Sequence, residues 1–88
     1  MNTKPPLVWN SWNIEHIKKH AVSTQEVEEV YLSLTKVVQS YQERFLILGK
    51  TKAGRKLTFA VSYQKQAEPY VVSARDMSKK ERKIYEQA

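Results

Sequence analysis

Residues 44–64, RFLILGKTKAGRKLTFAVSYQ, decide the fold. An apolar run, Phe45 to Leu48, is followed by Lys52, Ala53 and Gly54, and then by a strict two-residue alternation. Leu57, Phe59, Val61 and Tyr63 fall on one side of that alternation, with Thr58, Ala60 and Ser62 on the other. This is the period of a half-buried strand in an antiparallel sheet. The short link holds the glycine that a tight hairpin needs. The spacing therefore predicts strands over 44–51 and 56–64.

Working outward, 36–41 reads as a preceding strand, and 70–75, beyond a loop holding Pro69, as a following one. Ser23 with Glu26 forms a capping-box pattern that opens a helix over 24–34. Val27, Val30, Tyr31 and Leu34 share one face of it, with Glu26, Glu28 and Glu29 toward water. Ile14, Ile17 and Ala21 suggest a short helix over 13–20. Residues 1–8, with Pro5 and Pro6, read as an extended arm. Ser78 with Glu81 repeats the capping pattern and opens a last helix. The expected fold is one α+β domain over 1–88: two N-terminal helices, a four-stranded antiparallel meander and a C-terminal helix.

The 88 residues include no cysteine, which removes disulfides and thiolate metal sites and is compatible with a reducing cytoplasm. The apolar runs are too short to cross a bilayer. The start, MNTKPPLVW, lacks the apolar core of a signal peptide, so a cytoplasmic protein is expected. The net charge of +6 is unevenly placed. Residues 1–34 hold three Lys against four Glu, whereas 35–88 hold twelve Lys or Arg against five acids. That asymmetry favours a polyanionic partner, nucleic acid first or an acidic protein segment mimicking it; a merely soluble basic domain is the plain alternative.

Several residues suit phosphate chemistry. His20, of the residue type suited to proton transfer in the neutral range, stands beside Lys19 at a helix end, where it serves either proton transfer or capping. Glu43 and Arg44 begin a strand, as a surface ion pair or as a base beside a phosphate-binding Arg. Arg55 closes the hairpin as a binding or a solvated cation. Arg75 ends an apolar strand, where it either meets a phosphate or pairs with Asp76 or Glu81. Lys79, Lys80, Arg82 and Lys83 spread around the last helix as a binding surface or a solvated face. His16 and His20, four apart, have no obvious third ligand, and neither a metal nor another cofactor is expected. Trp9, Trp12, Tyr41, Tyr63 and Tyr70 are available for stacking or for the core.

The stretches KHAVSTQEVEEV at 19–30, ER at 43–44, GKTKAGR at 49–55 and SARDMSKKERKIY at 73–85 together resemble the BrnT family of bacterial toxins, within the RelE-like ribonucleases of type II toxin–antitoxin systems. The likeness spans positions 9–85 and rests on order and spacing. It implies a RelE-like fold, metal-independent RNA hydrolysis, growth inhibition, and a hetero-oligomer with an antitoxin carrying a DNA-binding domain. By position, Lys19 and His20 match the family's basic pair, while Glu43, Arg44, Arg55 and Arg75 match its charged sheet positions. Ala21 stands where the family usually has Gly, and Tyr70 where many members have Arg. Such cleavage uses the substrate 2′-hydroxyl as nucleophile. His20 would move a proton, Arg44 and Arg75 would hold the phosphorane, and Lys19 would add charge, with Glu43 the alternative base. Arg55, Lys79, Lys80, Arg82 and Lys83 would bind RNA. From another class, a non-catalytic RNA- or protein-binding module on the same fold needs the same cations.

Overall fold

A computed structural model describes residues 4–40, 42–63 and 67–87. Helices α1 (Ser11–Lys18) and α2 (Thr24–Leu32) precede strands β1 (Lys36–Gln39), β2 (Arg44–Lys50), β3 (Lys56–Ser62) and β4 (Tyr70–Asp76), and α3 (Lys79–Glu86) follows. The strands pair antiparallel in the order β1-β2-β3-β4, the expected α+β meander. At the β2–β3 turn Gly54 has φ +93 and its N–H donates to the Thr51 carbonyl at 3.0 Å, so glycine is needed there for its backbone. No helix among the described residues is long and apolar enough to cross a membrane.

Both capping boxes form. The Ser23 and Ser78 side chains accept from the Glu26 and Glu81 amides, and each glutamate returns a bond to its cap. A third box, Asn10 with Asn13, starts α1 two residues before the expected 13. Asn13 is buried, and its Nδ2 donates to the carbonyls of Val8 (3.0 Å) and Val71 (2.9 Å), tying α1 to β4. The arm is extended and docked: Val8 bridges Tyr70 in parallel, Leu7 is buried, and the Tyr31 hydroxyl donates to the Pro5 carbonyl at 2.6 Å.

Alternate residues divide the sheet into two faces. Ile47 of β2, Leu57, Phe59 and Val61 of β3, and Val71 and Ala74 of β4 join Ile17, Val27, Val30 and Tyr31 of α1 and α2 in the core. Burial of this apolar set is the main stabilising term of so small a domain. Opposite lie Arg44, Leu46, Leu48, Thr58, Ala60, Ser73 and Arg75, with α3 over part of that face.

Three expectations need correction. β3 is buried on both faces rather than one, because α3 covers Leu48 and Thr58. α2 ends at Leu32, so Leu34 lies outside it and is 92 % exposed; the Ser33 hydroxyl takes up the Val30 carbonyl at 2.7 Å as the chain turns into β1. Ala21 is not helical either. It has φ +56 and closes α1 as a Schellman turn, with Val22 N–H on the Ile17 carbonyl (3.2 Å) and Ala21 N–H on that of Lys18 (2.9 Å). Of the expected strand ends, Tyr41 and Gln64 lie outside the described residues.

These two backbone positions give opposite expectations. Ala21→Gly removes a left-handed strain of about 1–2 kcal/mol against a glycine entropy penalty of roughly 0.5–1, so stability should rise by up to about 1 kcal/mol. At Gly49 a Cβ would stand 2.9 Å from both Val30 Cγ1 and Ser33 Oγ, so Gly49→Ala should lower stability by about 1–3 kcal/mol. Urea unfolding measures both; equal midpoints would refute the close approach of α2 to β2.

Candidate functional site

The sequence candidates separate onto two sides of the sheet. Arg55, two residues before Leu57 and so of the same parity, faces the α1 and α2 side, where it meets Glu26; Lys19 and His20 stand at the exit of α1 on that same side. Arg44 and Arg75 project from the opposite face, where α3 brings Lys79, Lys80, Arg82 and Lys83. His20 therefore does not converge with Arg44 and Arg75 on one phosphate, because the sheet stands between them. Arg44 and Arg75 are themselves apart: Leu48, opposite Thr58, is four residues along β2, or about 13 Å.

On the α3 face the centre is Arg75. Its Nη1 and Nη2 meet Glu81 Oε1 and Oε2 at 2.7 and 2.8 Å, a bidentate pair. Thr58 Oγ1 donates to the same carboxylate at 3.0 Å, and the Ser78 amide at 2.9 Å. Glu81 is buried, and Arg75, with the Ser78 amide and Thr58, holds its pKa down to about 2. It is thus ionised and saturated, a poor general acid. The rest of α3 is held by charge as well. Lys56 pairs with Glu86 at 2.5 Å, and Lys36 donates to the carbonyls of Ile84 (2.8 Å) and Gln87 at the helix end. Lys79, Lys80, Arg82 and Lys83 are exposed and form no ion pair among the described residues.

Arg44 differs from Arg75. Its Nε is buried with no hydrogen-bond partner among the described residues, and an unpaired buried donor of this kind costs about 1–3 kcal/mol. Its neighbour Glu43 is exposed in a turn at φ +56, with Gln42 at φ +58, and the Glu43 carbonyl accepts from Tyr63 N–H at 3.3 Å. The two do not form an ion pair.

On the helix face Arg55 is engaged throughout. Nε meets Asp76 Oδ1 at 2.8 Å, Nη1 meets Glu26 at 3.2 Å, and the guanidinium also donates to the carbonyls of Ala21 (2.8 Å) and His20 (3.4 Å). Arg55 lowers the pKa of Asp76, while the Ser23 amide and then Arg55 lower that of Glu26. Glu26, Glu28 and Glu29 are thus not simply wet: Glu28 accepts from Trp9 Nε1 (2.8 Å) and Glu29 from the Lys52 amide (3.1 Å). Lys19 and His20 are exposed. Trp12, His16 and His20 form a ring series: Trp12 and His16 stack at 4.8 Å and 10°, and His16 and His20 meet edge-on at 6.4 Å. Tyr70, at the position of the missing family Arg, donates through Oη to Asn10 Oδ1 at 3.2 Å.

The sequence offered Glu81 both as the capping partner of Ser78 and as a pairing partner of Arg75, and the structure joins the two roles in one carboxylate, whereas the Asn10–Asn13 box was missed. The N-x-x-N spacing was a usable signal for the latter. Compared with known proteins, the chain matches no family model, no curated protein and no solved structure.

The Glu81 cluster sets an acid limit. A carboxylate depressed from 4.5 to about 2 contributes stability that is complete above about pH 4.5 and is lost as pH falls toward 2, roughly 2–3 kcal/mol in all. Glu81→Gln should be less stable than the parent at pH 7 and should lose less on acidification. Circular dichroism melts between pH 7 and 2 test this, and parallel curves would remove Glu81 from the acid response. Arg75→Ala should lower stability at pH 7 by about 1–3 kcal/mol, less than for a fully buried pair because Arg75 is 44 % exposed.

Proposed function

We propose that this chain acts on RNA as a toxin of the BrnT, RelE-like kind: a metal-independent endoribonuclease of the bacterial cytoplasm, neutralised by a cognate antitoxin with a DNA-binding domain. One observation carries the RNA part of this reading. Asp76, Glu81 and Glu86 are paired internally with Arg55, Arg75 and Lys56, which leaves Lys79, Lys80, Arg82 and Lys83 facing solvent with no ion pair of their own among the described residues, Arg82 alone feeling Asp76 and Glu86 at longer range. A row of unpaired cations on one helix is the electrostatic footprint of phosphate binding. The catalytic part rests on Arg44, whose buried Nε has no hydrogen-bond partner among the described residues and whose fixed positive charge suits a developing phosphorane, with exposed Glu43 next to it as the base. Both groups stand at the start of β2, across the sheet from His20, so on this reading His20 is dispensable for cleavage.

The second reading, a non-catalytic RNA-binding module, is favoured by the engagement of Arg75 with Glu81 and of Arg55 with Asp76 and Glu26. Neither guanidinium is free to take a phosphate unless an ion pair opens.

Two measurements decide between them. Binding of single-stranded RNA should weaken with salt at a log–log slope of about −3 for four phosphate contacts. Replacing Lys79, Lys80, Arg82 and Lys83 by Gln together should flatten most of that slope; a parent that binds no RNA at low salt refutes both readings. Cleavage is then followed in Arg44→Gln, which breaks no ion pair. A loss of about 10²–10³ in rate with an unchanged melting temperature supports the nuclease. Absence of cleavage by the parent, and no growth arrest on induced expression, leaves the binding module.

A further inference from the structure

The exposed side of α1 carries an aromatic arrangement that the phosphate-binding surface does not use. Trp12 and His16, four apart, share the solvent side of α1 next to the buried Asn13 and Ile17, and His20 follows four residues on, in the turn that closes the helix. Trp12 is 59 % exposed, unusual for the largest apolar side chain in a domain with little core to spare. It is not a loose rotor: His16 lies parallel beneath the indole at 4.8 Å and 10°, and His20 closes the series edge-on. One indole face is therefore braced and the other open. Ser11, Trp12, Glu15, His16 and Lys19 line a shallow hollow of about 400 Å³ there. Lys19 has no counter-charge among the described residues, whereas Glu15 is taken by Lys18 at 3.1 Å. A flat, pre-oriented π-surface beside an unpaired cation matches what an unpaired nucleobase and its phosphate require.

We propose that the Trp12–His16–His20 face is a base-stacking subsite for a single-stranded RNA, with Lys19 meeting the adjoining phosphate. This rests on the RNA reading above and adds to it a part of the ligand, the base, that the cations of α3 do not read. Trp9 makes no such platform: it packs against the core and its Nε1 donates to Glu28.

The test uses the full chain and fluorescently labelled twelve-residue oligomers, oligo(A) and oligo(dA), with heparin as a polyanion lacking bases. Trp12→Ala should weaken oligo(A) binding by about 5–150-fold, the range for losing one base–aromatic stack. Trp12→Phe should recover most of the affinity, and heparin should bind all three proteins alike. Oligo(A) binding at least as tightly as oligo(dA) supports an RNA strand, and a preference for oligo(dA) overturns that assignment. If Trp12→Ala binds oligo(A) as the parent does, the subsite is refuted. Equal losses for oligo(A) and heparin also refute it, since the effect would then be one of charge or folding. A parent that binds heparin but not oligo(A) overturns the subsite and the RNA reading together.

Discussion

The Arg55 guanidinium joins four separate segments. Asp76 ends β4, Glu26 opens α2, the His20 and Ala21 carbonyls close α1, and Arg55 itself leads into β3. Each partner is a group that its own element leaves over: the last carbonyls of a helix, a capping-box glutamate, a carboxylate at a strand end. Because the guanidinium is a planar fork with five donors, one side chain can satisfy several directions at once in a fixed geometry, whereas a lysine has three donors on a rotating ammonium. The contact fixes how α1 and α2 turn relative to the hairpin, and it does so at the rim, where the small apolar core ends.

The opposite face depends on charge more than on burial. Within α3 only Glu81 is buried, and the helix is held by Glu81 on Arg75 and Thr58, Glu86 on Lys56, and Lys36 at its C-terminal carbonyls. Exposed pairs such as Glu86 with Lys56 contribute little and weaken with salt. The half-buried Glu81–Arg75 pair is the exception, since breaking it strands a desolvated carboxylate. α3 is thus attached less firmly than α1 and α2, whose apolar faces enter the core. The helix with the most unpaired cations is therefore also the one whose attachment responds most to ionic strength.

Much of this architecture is legible in the chain. The alternation from Leu57 to Tyr63, the Gly54 turn and the Ser–Glu capping boxes are local signals, and all describe what the structure contains. What escaped depends on pairing across the sheet. The Leu57-Phe59-Val61 parity already puts Arg55 on the core side and Arg75, in register with Thr58, on the other. Local charge patterns treat the two as equivalent, and only the register shows that His20 and Arg75 lie on opposite faces. The burial of Thr58 was illegible for a related reason: it arises from Glu81 of α3, a helix whose sequence is too polar to announce that it covers anything. At Ala21, just past the expected helix end, the left-handed turn was illegible because alanine favours helices and the Schellman hydrogen bonds override that preference.

The sidedness of the sheet bears on how one polyanion would meet both cationic surfaces. Lys19 and His20 lie next to Arg55, Arg55 holds Asp76, and Asp76 is three residues before Lys79. The exit of α1 and the start of α3 therefore flank the same end of β4, although they belong to opposite faces. A strand reaching from the α3 cations to the aromatic face of α1 would pass this end rather than cross the sheet. The acids on that route, Asp76 and Glu26, are both bound to Arg55, which leaves one negative charge where two would otherwise repel a phosphate. Arg55 can thus favour a polyanion without touching it, by neutralising the carboxylates between the two surfaces. It is then a residue whose loss would weaken binding and folding together, whereas loss of Lys79 or Trp12 would weaken binding alone.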